Sequence, residues 1–436
     1  MNMTSSEFQT YIFAYLPQSA QAVPAGKLTM IESGTEVQAS QFGYGKRYLQ
    51  RQDAYAIDPA SLALQSAQDG TVQLYEPANG LTMFGAVRDA MPDAWGRRVI
   101  ENKLKAQPNS LNESQYLEQA GSNRLGALDF RKTQTDNAQA GLLPDVQDLS
   151  YLVEAADKIE TGEYVPEHLR QIFDAGPSMG GARPKAVITK NGMEYIAKFT
   201  AKDDAFNVPQ IERATLELAR LCGLDVPATE YLWLANNKPV MLIARFDRKP
   251  GLNNEQYRTH TVSGLTMLGL HESESANSSY VALADVISSS GAKGFVQQDR
   301  KELFARMVFN ILVSNDDDHL RNHAFVWDDI NKGWRLSPLY DVLPKPQVAT
   351  ERYLHLSVGK QGRLATLDNA LSMAGQFGLM DKEAARITND IAMKTREWRT
   401  FFESEMQVPT AECDKVKSAF RRPADIGLDF VEKRLK

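Results

Sequence analysis

The stretch NDDDHLRNH, residues 315–323, is followed after a short hairpin pattern by Tyr340 and Asp341, and it carries the strongest signal for the fold. Asp317 and Asn322 stand five positions apart, and Asp341 lies beyond the hairpin. In phosphoryl-transfer sites, one carboxylate orients the attacking hydroxyl, while an Asn and a distal Asp hold magnesium on the nucleotide. The stretch therefore predicts a kinase.

The sequence on either side of the hairpin predicts how these residues meet. Residues 323–327 and 334–338 are expected to pair as antiparallel strands, so that the open end of the hairpin places Asn322 beside Asp341. An amide oxygen and a carboxylate are hard ligands that suit Mg²⁺. The flanking residues differ from the usual kinase pattern, because no His-Arg-Asp triplet is present and Asp341 is followed by Val-Leu.

The neighbours of Asp317 are expected to support the loop. Asp316 and Asp318 are interpreted as solvated or supporting residues. His319 could bind a metal or carry a proton, but a structural role in packing and hydrogen bonding is favoured. His323 is interpreted as structural.

A glycine-bearing loop, residues 176–185, precedes a second group of chemical interest. Two β-prone runs follow it, joined by Asn191-Gly192, which predicts a type I′ hairpin turn. Lys198 lies on the second run, before a helix with Asn207 as its expected N-cap. A Lys in this position is usually an exposed strand residue. After a glycine loop, it is instead interpreted as a phosphate-contacting lysine paired with a helix glutamate, Glu212, or Glu217 as the alternative.

Composition limits the class of protein. A chain of 436 residues exceeds one hydrophobic core and predicts two or three domains. A net charge of −6 argues against bulk nucleic-acid binding by the whole surface, while allowing a local basic patch. Two cysteines form neither a disulfide framework nor a zinc cluster, and neither a signal peptide nor a membrane span is apparent, so a cytoplasmic location is expected.

The pattern along the chain predicts an α+β fold in three parts. Residues 7–16 are rich in aromatic and β-branched residues and predict a strand in a β-rich N-terminal subdomain. A polar stretch at 131–148 is the best linker candidate. The division is 1–145 for the N-terminal subdomain, 146–250 for a nucleotide-binding subdomain, and 251–436 for a mainly helical lobe with the catalytic loop.

Taken together and in order, these motifs resemble the HipA-like toxin kinases, the serine/threonine kinases of bacterial HipA/HipB-type toxin–antitoxin modules. The resemblance extends over most of the chain. Its motifs are MPDAWGR at 91–97, RLGAL at 124–128, SMGGARPK at 178–185, IAKF at 196–199, RFDR at 245–248, the 315–322 loop, and YDV at 340–342.

The resemblance implies a two-lobed protein-kinase-like fold with a β-rich N-terminal subdomain and a mainly helical C-terminal lobe. It implies Asp317 as the catalytic aspartate and Asn322 and Asp341 as Mg²⁺ ligands. Ser178 is implied as an autophosphorylation site that inactivates the protein, since a phosphate there would bring negative charge to the place of the ATP phosphates. The expected ATP contacts are Ser178, Met179, Gly180, Gly181, Ala182, Arg183, Lys185, Lys198, Ala244, Phe246, His319 and Asn322.

The same resemblance implies partners. Family members bind a small HipB-like helix-turn-helix antitoxin, and operator DNA is expected to be contacted mainly through that antitoxin. The implied target is a cellular protein, with an aminoacyl-tRNA synthetase as the best-known example in the family. No membrane partner is expected.

Alternative functions remain at this stage. A small-molecule kinase would use the same catalytic residues. A non-catalytic subunit of a co-repressor complex on DNA would act only through its partner, although an intact set of Asp317, Asn322, Asp341 and Lys198 argues against it. A metal-dependent hydrolase would leave the glycine loop and Lys198 unexplained.

Overall fold

The computed structural model describes residues 5–65, 71–139, 141–174, 181–251 and 255–436. Strands and helices are both abundant, which confirms the α+β class. The strands are β1 (Ser6–Tyr15), β2 (Ala22–Ser33), β3 (Glu36–Tyr44), β4 (Leu74–Tyr75), β5 (Leu128–Arg131), β6 (Lys185–Lys190), β7 (Met193–Phe199), β8 (Thr229–Trp233), β9 (Pro239–Ala244), β10 (Arg248–Pro250), β11 (Gln256–Arg258), β12 (Thr261–Ser263), β13 (Ala324–Asp328) and β14 (Gly333–Leu336).

Helices occur along the whole described chain, and most of them follow residue 200. The helices are α1 (Lys46–Leu49), α2 (Gly85–Asp89), α3 (Ala94–Leu104), α4 (Glu113–Gln119), α5 (Leu149–Glu160), α6 (Gln171–Asp174), α7 (Val208–Leu221), α8 (Gly264–Met267), α9 (Tyr280–Ser290), α10 (Val296–Val313), α11 (Leu367–Leu371), α12 (Asp381–Arg396), α13 (Trp398–Ser404), α14 (Thr410–Val416) and α15 (Leu428–Leu435). No helix in the described ranges is long and apolar enough to cross a membrane.

The N-terminal region is built on a sheet with strand order β4-β3-β2-β1-β5. The strand predicted at residues 7–16 is observed as β1, and its pairing with β2 and β5 is antiparallel. Alternate residues of β2 from Gly26 to Glu32 are buried, because one face of the sheet packs on the core, and the last four residues of β1 are buried on both faces. The predicted β-rich N-terminal region is therefore present.

A second sheet has strand order β6-β7-β9-β8. The turn between β6 and β7 has positive φ at both central residues, 52° at Asn191 and 76° at Gly192, as a type I′ turn requires. The following helix, α7, starts as predicted, because the Asn207 side chain accepts a hydrogen bond from the backbone N–H of Gln210.

The chain divides into two compact units. One comprises residues 1–202, 233–238 and 242–270, and the other comprises residues 203–232, 239–241 and 271–436. The three-part division expected from the sequence stays a prediction.

Helix α10 is the centre of the second unit. It packs against α9, α11 and α12, and it is buried on nearly all sides along its second half. Its apolar residues Leu303, Phe304, Met307, Val308, Ile311 and Leu312 are fully buried. A helix held this firmly gives the loop that follows it a rigid base.

Candidate active site

The loop that carries Asp317 begins where α10 ends. Ser314 caps the helix in the left-handed conformation, with φ of 52°, and its Oγ donates to the carbonyl of Ala419 at 2.7 Å. The backbone N–H of Asn315 then bonds to the carbonyl of Asn310 at 3.0 Å. These bonds turn the chain out of the helix at a defined point, so the loop leaves α10 in a fixed direction.

Asp318 fixes the loop from the inside. Its side chain is buried, with one carboxylate oxygen accepting from the Tyr280 hydroxyl at 2.5 Å and the other from the backbone N–H of His355 at 2.7 Å. Asn310 donates to the same Tyr280 hydroxyl at 2.9 Å, and Asn315 donates to Asn310 at 3.1 Å. Burial raises the pKa of Asp318 to about 7, against the lowering effect of these hydrogen bonds.

The side chain of Asp317, in contrast, is exposed to solvent. This side chain is 77% exposed, and one carboxylate oxygen lies 3.8 Å from Nε2 of the His319 ring. His319 in turn lies edge-on to His355, whose Nε2 is 3.0 Å from the Ser275 hydroxyl. The structural role favoured for His319 agrees with this packing. Asp317 is therefore an accessible carboxylate on a loop that is anchored at its neighbour.

Asn322 is buried and contacts the backbone of Asp317. Its side-chain N–H donates to the backbone carbonyl of Asp317 at 2.7 Å, which sets the direction of the amide. Within the described ranges no donor bonds to its Oδ1, so the oxygen remains available to a ligand. The amide thus fixes Asp317 with one atom and offers a hard acceptor with the other.

The hairpin predicted downstream is observed. Strands β13 and β14 pair with Phe325 opposite Leu336. Beyond the paired residues, the Tyr340 hydroxyl donates to the carbonyl of Arg321 at 2.7 Å, so the residues that precede Asn322 and Asp341 are in contact. Asp341 itself adopts a left-handed conformation with φ of 56°. Such a conformation is uncommon outside glycine and is concentrated at functional sites.

The side-chain types of Asn322 and Asp341 fit a magnesium ion that also binds substrate phosphates. Mg²⁺ usually takes one or two carboxylates from the protein and completes its shell with water and phosphate oxygens. No group of three or more His, Cys, Asp or Glu side chains suited to a metal occurs in the described ranges. Asp316 is engaged elsewhere, with Lys345 at 3.0 Å and Gln347 at 2.8 Å.

The other predicted residues lie in the sheet region. Lys198 is half-buried on β7 and stands opposite Lys185 of β6. Glu212 is buried on α7, in the other compact unit, and its ion pair with Lys198 stays a prediction. Both oxygens of the alternative, Glu217, are engaged, one with Arg220 at 2.9 Å and one with Thr229 at 2.6 Å.

The described end of the glycine loop is tied down by an ion pair. Lys185 is 5% exposed, and its ammonium contacts Asp93 at 2.8 Å and the carbonyl of Gly181 at 3.1 Å. The Trp95 indole donates to the carbonyl of Lys185 at 2.8 Å. The PDAWGR motif therefore holds this end of the loop, while the predicted ATP contact of Lys185 stays a prediction. Ser178, Met179 and Gly180 lie outside the described residues. Gly181, Ala182 and Arg183 lie within them.

A buried charge cluster adjoins Ala244 and Phe246, two of the predicted ATP contacts. Asp247 accepts from Arg245 at 2.8 Å, from Arg248 at 2.8 Å and from the backbone N–H of Gly126 at 2.7 Å. Glu194 adds a second carboxylate at 3.1 Å from Arg245. The RFDR and RLGAL motifs therefore meet in this cluster, a role that local sequence patterns did not indicate.

Sequence reasoning also missed Tyr280, Asn310 and His355. These residues support the loop from distant parts of the chain, and no local motif marks them. Asn310 carried a weak signal, because an Asn on the buried part of a helix requires a polar partner.

Sequence comparison finds a matching family model and relatives that are named as putative kinases. The family model described as "HipA-like C-terminal domain" matches residues 177–398. Two relatives from Sinorhizobium fredii are named "Putative kinase Y4mE" and "Putative kinase Y4dM". The first is 25% identical over 72% of this chain and 76% of the relative, and the second is 24% identical over 88% of this chain and 90% of the relative.

A solved structure shows the same fold along nearly the whole chain. It is the HipA chain of a Shewanella oneidensis HipA, HipB and operator DNA complex, with a TM-score of 0.68 and 18% identity, covering 98% of this chain and 99% of that one. This similarity confirms the predicted fold class.

Proposed function

Because the chain belongs to the family that carries the HipA-like C-terminal domain, we propose that it is an ATP- and Mg²⁺-dependent protein kinase that phosphorylates serine or threonine. The observation that carries the proposal is an exposed Asp317 whose backbone carbonyl is held by the Asn322 side chain, on a loop that the Tyr340 hydroxyl joins to the segment before Asp341. Relatives that cover most of this chain are named as kinases, which supports the same reaction class.

Each residue has a distinct task in this proposal. Asp317 accepts a hydrogen bond from the substrate hydroxyl and orients it for attack, since its carboxylate is exposed and its backbone is held by Asn322. Asn322 and Asp341 would hold Mg²⁺, which supplies charge neutralisation on the nucleotide phosphates when bound. Lys198 would contact those phosphates. Most of the rate enhancement then comes from positioning and electrostatics.

The biological role is proposed by the same reasoning. The family and the HipA–HipB–operator DNA complex support a role as the toxin of a toxin–antitoxin module, with a HipB-type partner and DNA contacted mainly through it. We propose a cellular protein, such as an aminoacyl-tRNA synthetase, as the target. Phosphorylation of Ser178, which lies outside the described residues, would inactivate the kinase by placing about two negative charges near the ATP phosphates.

Incubation of the purified chain with labelled ATP and a cell lysate, followed by phosphosite mapping, tests the proposal. Wild-type protein should label a protein substrate and Ser178. Asp317→Asn should lower labelling by a factor of about 10³ or more while keeping the circular-dichroism spectrum. Asp316→Asn is the matched control, because it removes one charge from the same loop at a residue engaged with Lys345.

The outcomes separate the alternatives. Label that appears only in small metabolites would indicate a small-molecule kinase. No transfer from ATP by wild-type protein, with or without a HipB-type partner, would favour a non-catalytic subunit and overturn the proposal. Equal transfer by wild type and Asp317→Asn would remove Asp317 from the catalytic role.

A further inference from the structure

A groove of about 710 Å³ lies on the N-terminal sheet, apart from the residues of the proposed kinase site. A row of cross-strand neighbours contributes to it, with Tyr11 of β1 opposite Lys27 of β2 and Lys27 opposite Gly43 of β3. The short helix α1 and the residues after it add Lys46, Arg47 and Arg51.

The groove collects positive charge on a chain whose net charge is −6. Four of its lining residues are Lys or Arg and none is Asp or Glu. Lys27, Lys46 and Arg47 are exposed, and in the described part of the chain none of their side chains forms an ion pair or hydrogen bond. Only Arg51 has a carboxylate partner, Asp53, at 2.9 Å. Cations that lie close together without partners repel one another, so this arrangement does not stabilise the fold. A bound anion would remove the repulsion.

The shape of the groove limits the classes of ligand that it can bind. A Cβ atom at Gly43 would lie 2.9 Å from Val72 and 3.2 Å from Leu74, so a side chain at this position would displace Val72, which lines the groove. The volume lies in the range of sites for small ligands, which is too small to receive a double helix. Tyr11 is half-buried and Val72 is 53% exposed, and both offer apolar surface next to the cations.

We propose that this groove binds single-stranded nucleic acid. Lys27, Lys46 and Arg47 would contact backbone phosphates, and a base would pack against Tyr11 and Val72. Sites for single strands combine these same parts, a basic groove along the backbone and an aromatic surface for the bases. The groove is a second binding site on the chain and does not depend on phosphoryl transfer.

Fluorescence anisotropy with a labelled twelve-residue oligothymidylate tests the charges. The triple variant Lys27→Gln/Lys46→Gln/Arg47→Gln should bind at least tenfold more weakly than wild type. Each phosphate contact on a single strand contributes about 0.7 to the slope of log affinity against log salt, so the slope should become shallower by about 2. The matched control is Lys103→Gln/Lys293→Gln/Lys360→Gln, which removes the same charge from exposed positions outside the groove and should bind like wild type.

A second variant tests the shape without a change of charge. Gly43→Val should weaken strand binding about tenfold while keeping the circular-dichroism spectrum, because the two atoms closest to its Cβ belong to the side chains of Val72 and Leu74, which can shift, and the carbonyl oxygen of Gln73 lies at an ordinary contact distance of 3.6 Å. A duplex of the same length should bind more weakly than the strand. Equal binding by wild type and the triple variant, equal loss in the control triple, or displacement of the strand by polyglutamate at matched charge would overturn the proposal.

Discussion

Asp317 and Asp318 are neighbours in the chain, and their carboxylates have opposite surroundings. The first is exposed to solvent, and the second is buried against Tyr280 and the backbone of His355. A run of three aspartates therefore divides into one accessible group, one internal anchor, and Asp316, which pairs with Lys345. The division gives the accessible carboxylate a fixed position, as a catalytic base requires.

The magnesium assignment predicts a loss of nucleotide affinity. Asp341→Asn keeps a residue that tolerates the left-handed backbone and removes the charge, so Mg·ATP should bind tenfold or more weakly in isothermal titration calorimetry. Binding of ATP without magnesium should change much less. Asp316→Asn is the matched control and should bind Mg·ATP like wild type. Unchanged Mg·ATP affinity in Asp341→Asn would contradict the assignment of Asp341 as a Mg²⁺ ligand.

Asp318 predicts a pH-dependent stability. Its pKa in the folded protein, about 7, is above its ordinary value of 3.8, so its contribution to stability is fully present below pH 4 and is lost as pH rises through 7. The loss amounts to about 4 kcal/mol. Asp318→Asn should remove it, so the free energy of unfolding of wild type minus that of the variant should fall between pH 4 and pH 8 in urea titrations.

In this experiment the free energy of unfolding of the Asp318→Asn variant must be subtracted from that of wild type at each pH. Burial lowers the pKa of His260 to about 4 and that of His323 to about 3. These bases titrate below their ordinary value of 6.5, so the stability that they contribute is lost as pH falls, which opposes the effect of Asp318 in the measured curve of wild type. A difference that does not vary with pH would show that Asp318 is ionised throughout the range.

At the scale of elements, long-range contacts set the position of each motif. Asp299 on α10 accepts two hydrogen bonds from Arg335, at 2.8 and 2.9 Å, and one from the backbone N–H of Leu336. The hairpin that returns Asp341 is therefore attached to the central helix. The RFDR segment is attached in the same manner, through Asp247, to Gly126.

The Asp247 cluster predicts a large effect on stability. Burial raises the pKa of Asp247, but Arg245 and Arg248 lower it by more, so the carboxylate is ionised. Asp247→Asn would leave two buried guanidinium groups short of a partner and should lower the free energy of unfolding by about 3–5 kcal/mol in urea titrations.

A matched control distinguishes burial from charge. Asp157→Asn also breaks an ion pair, with Lys238 at 3.1 Å, but both side chains are about two-fifths exposed. Its cost should lie between about 0 and 1 kcal/mol. Equal costs for the two variants would contradict the assignment of Asp247 as a buried structural charge.

The parts of the site that were predictable depend on local chemistry. The hairpin, the Asn191-Gly192 turn and the Asn207 cap each follow from a few adjacent residues, and all three are observed. The partners of Asp318 and Lys185 were not predictable, because Tyr280 is 38 positions from the first and Asp93 is 92 positions from the second. Such pairs depend on tertiary packing, which the order of residue types along one segment does not encode.

At the scale of the whole molecule, the chain passes between the two compact units more than once. Helix α7 belongs with the C-terminal residues, as Asn207 bonds to Glu412 and Gln210 to Gln407. A fragment that starts at residue 203 should therefore fold better than one that starts at residue 271. We expect a higher melting temperature and better-dispersed NMR spectra for residues 203–436 than for 271–436, and equal melting temperatures would contradict this role of α7.

This arrangement has a consequence for synthesis on the ribosome. Helix α7 ends at residue 221, and one helix that it packs against, α12, begins at residue 381. Translation at roughly 5–20 residues per second separates the two by about 10–30 seconds. During that interval α7 lacks the helices α12 and α13 that pack on it in the folded protein, so the nascent chain offers a binding segment to chaperones before residues 315–341 are made. Protease digestion of chains stalled near residue 280 should cut within 208–221, and protection there would show that α7 finds another partner first.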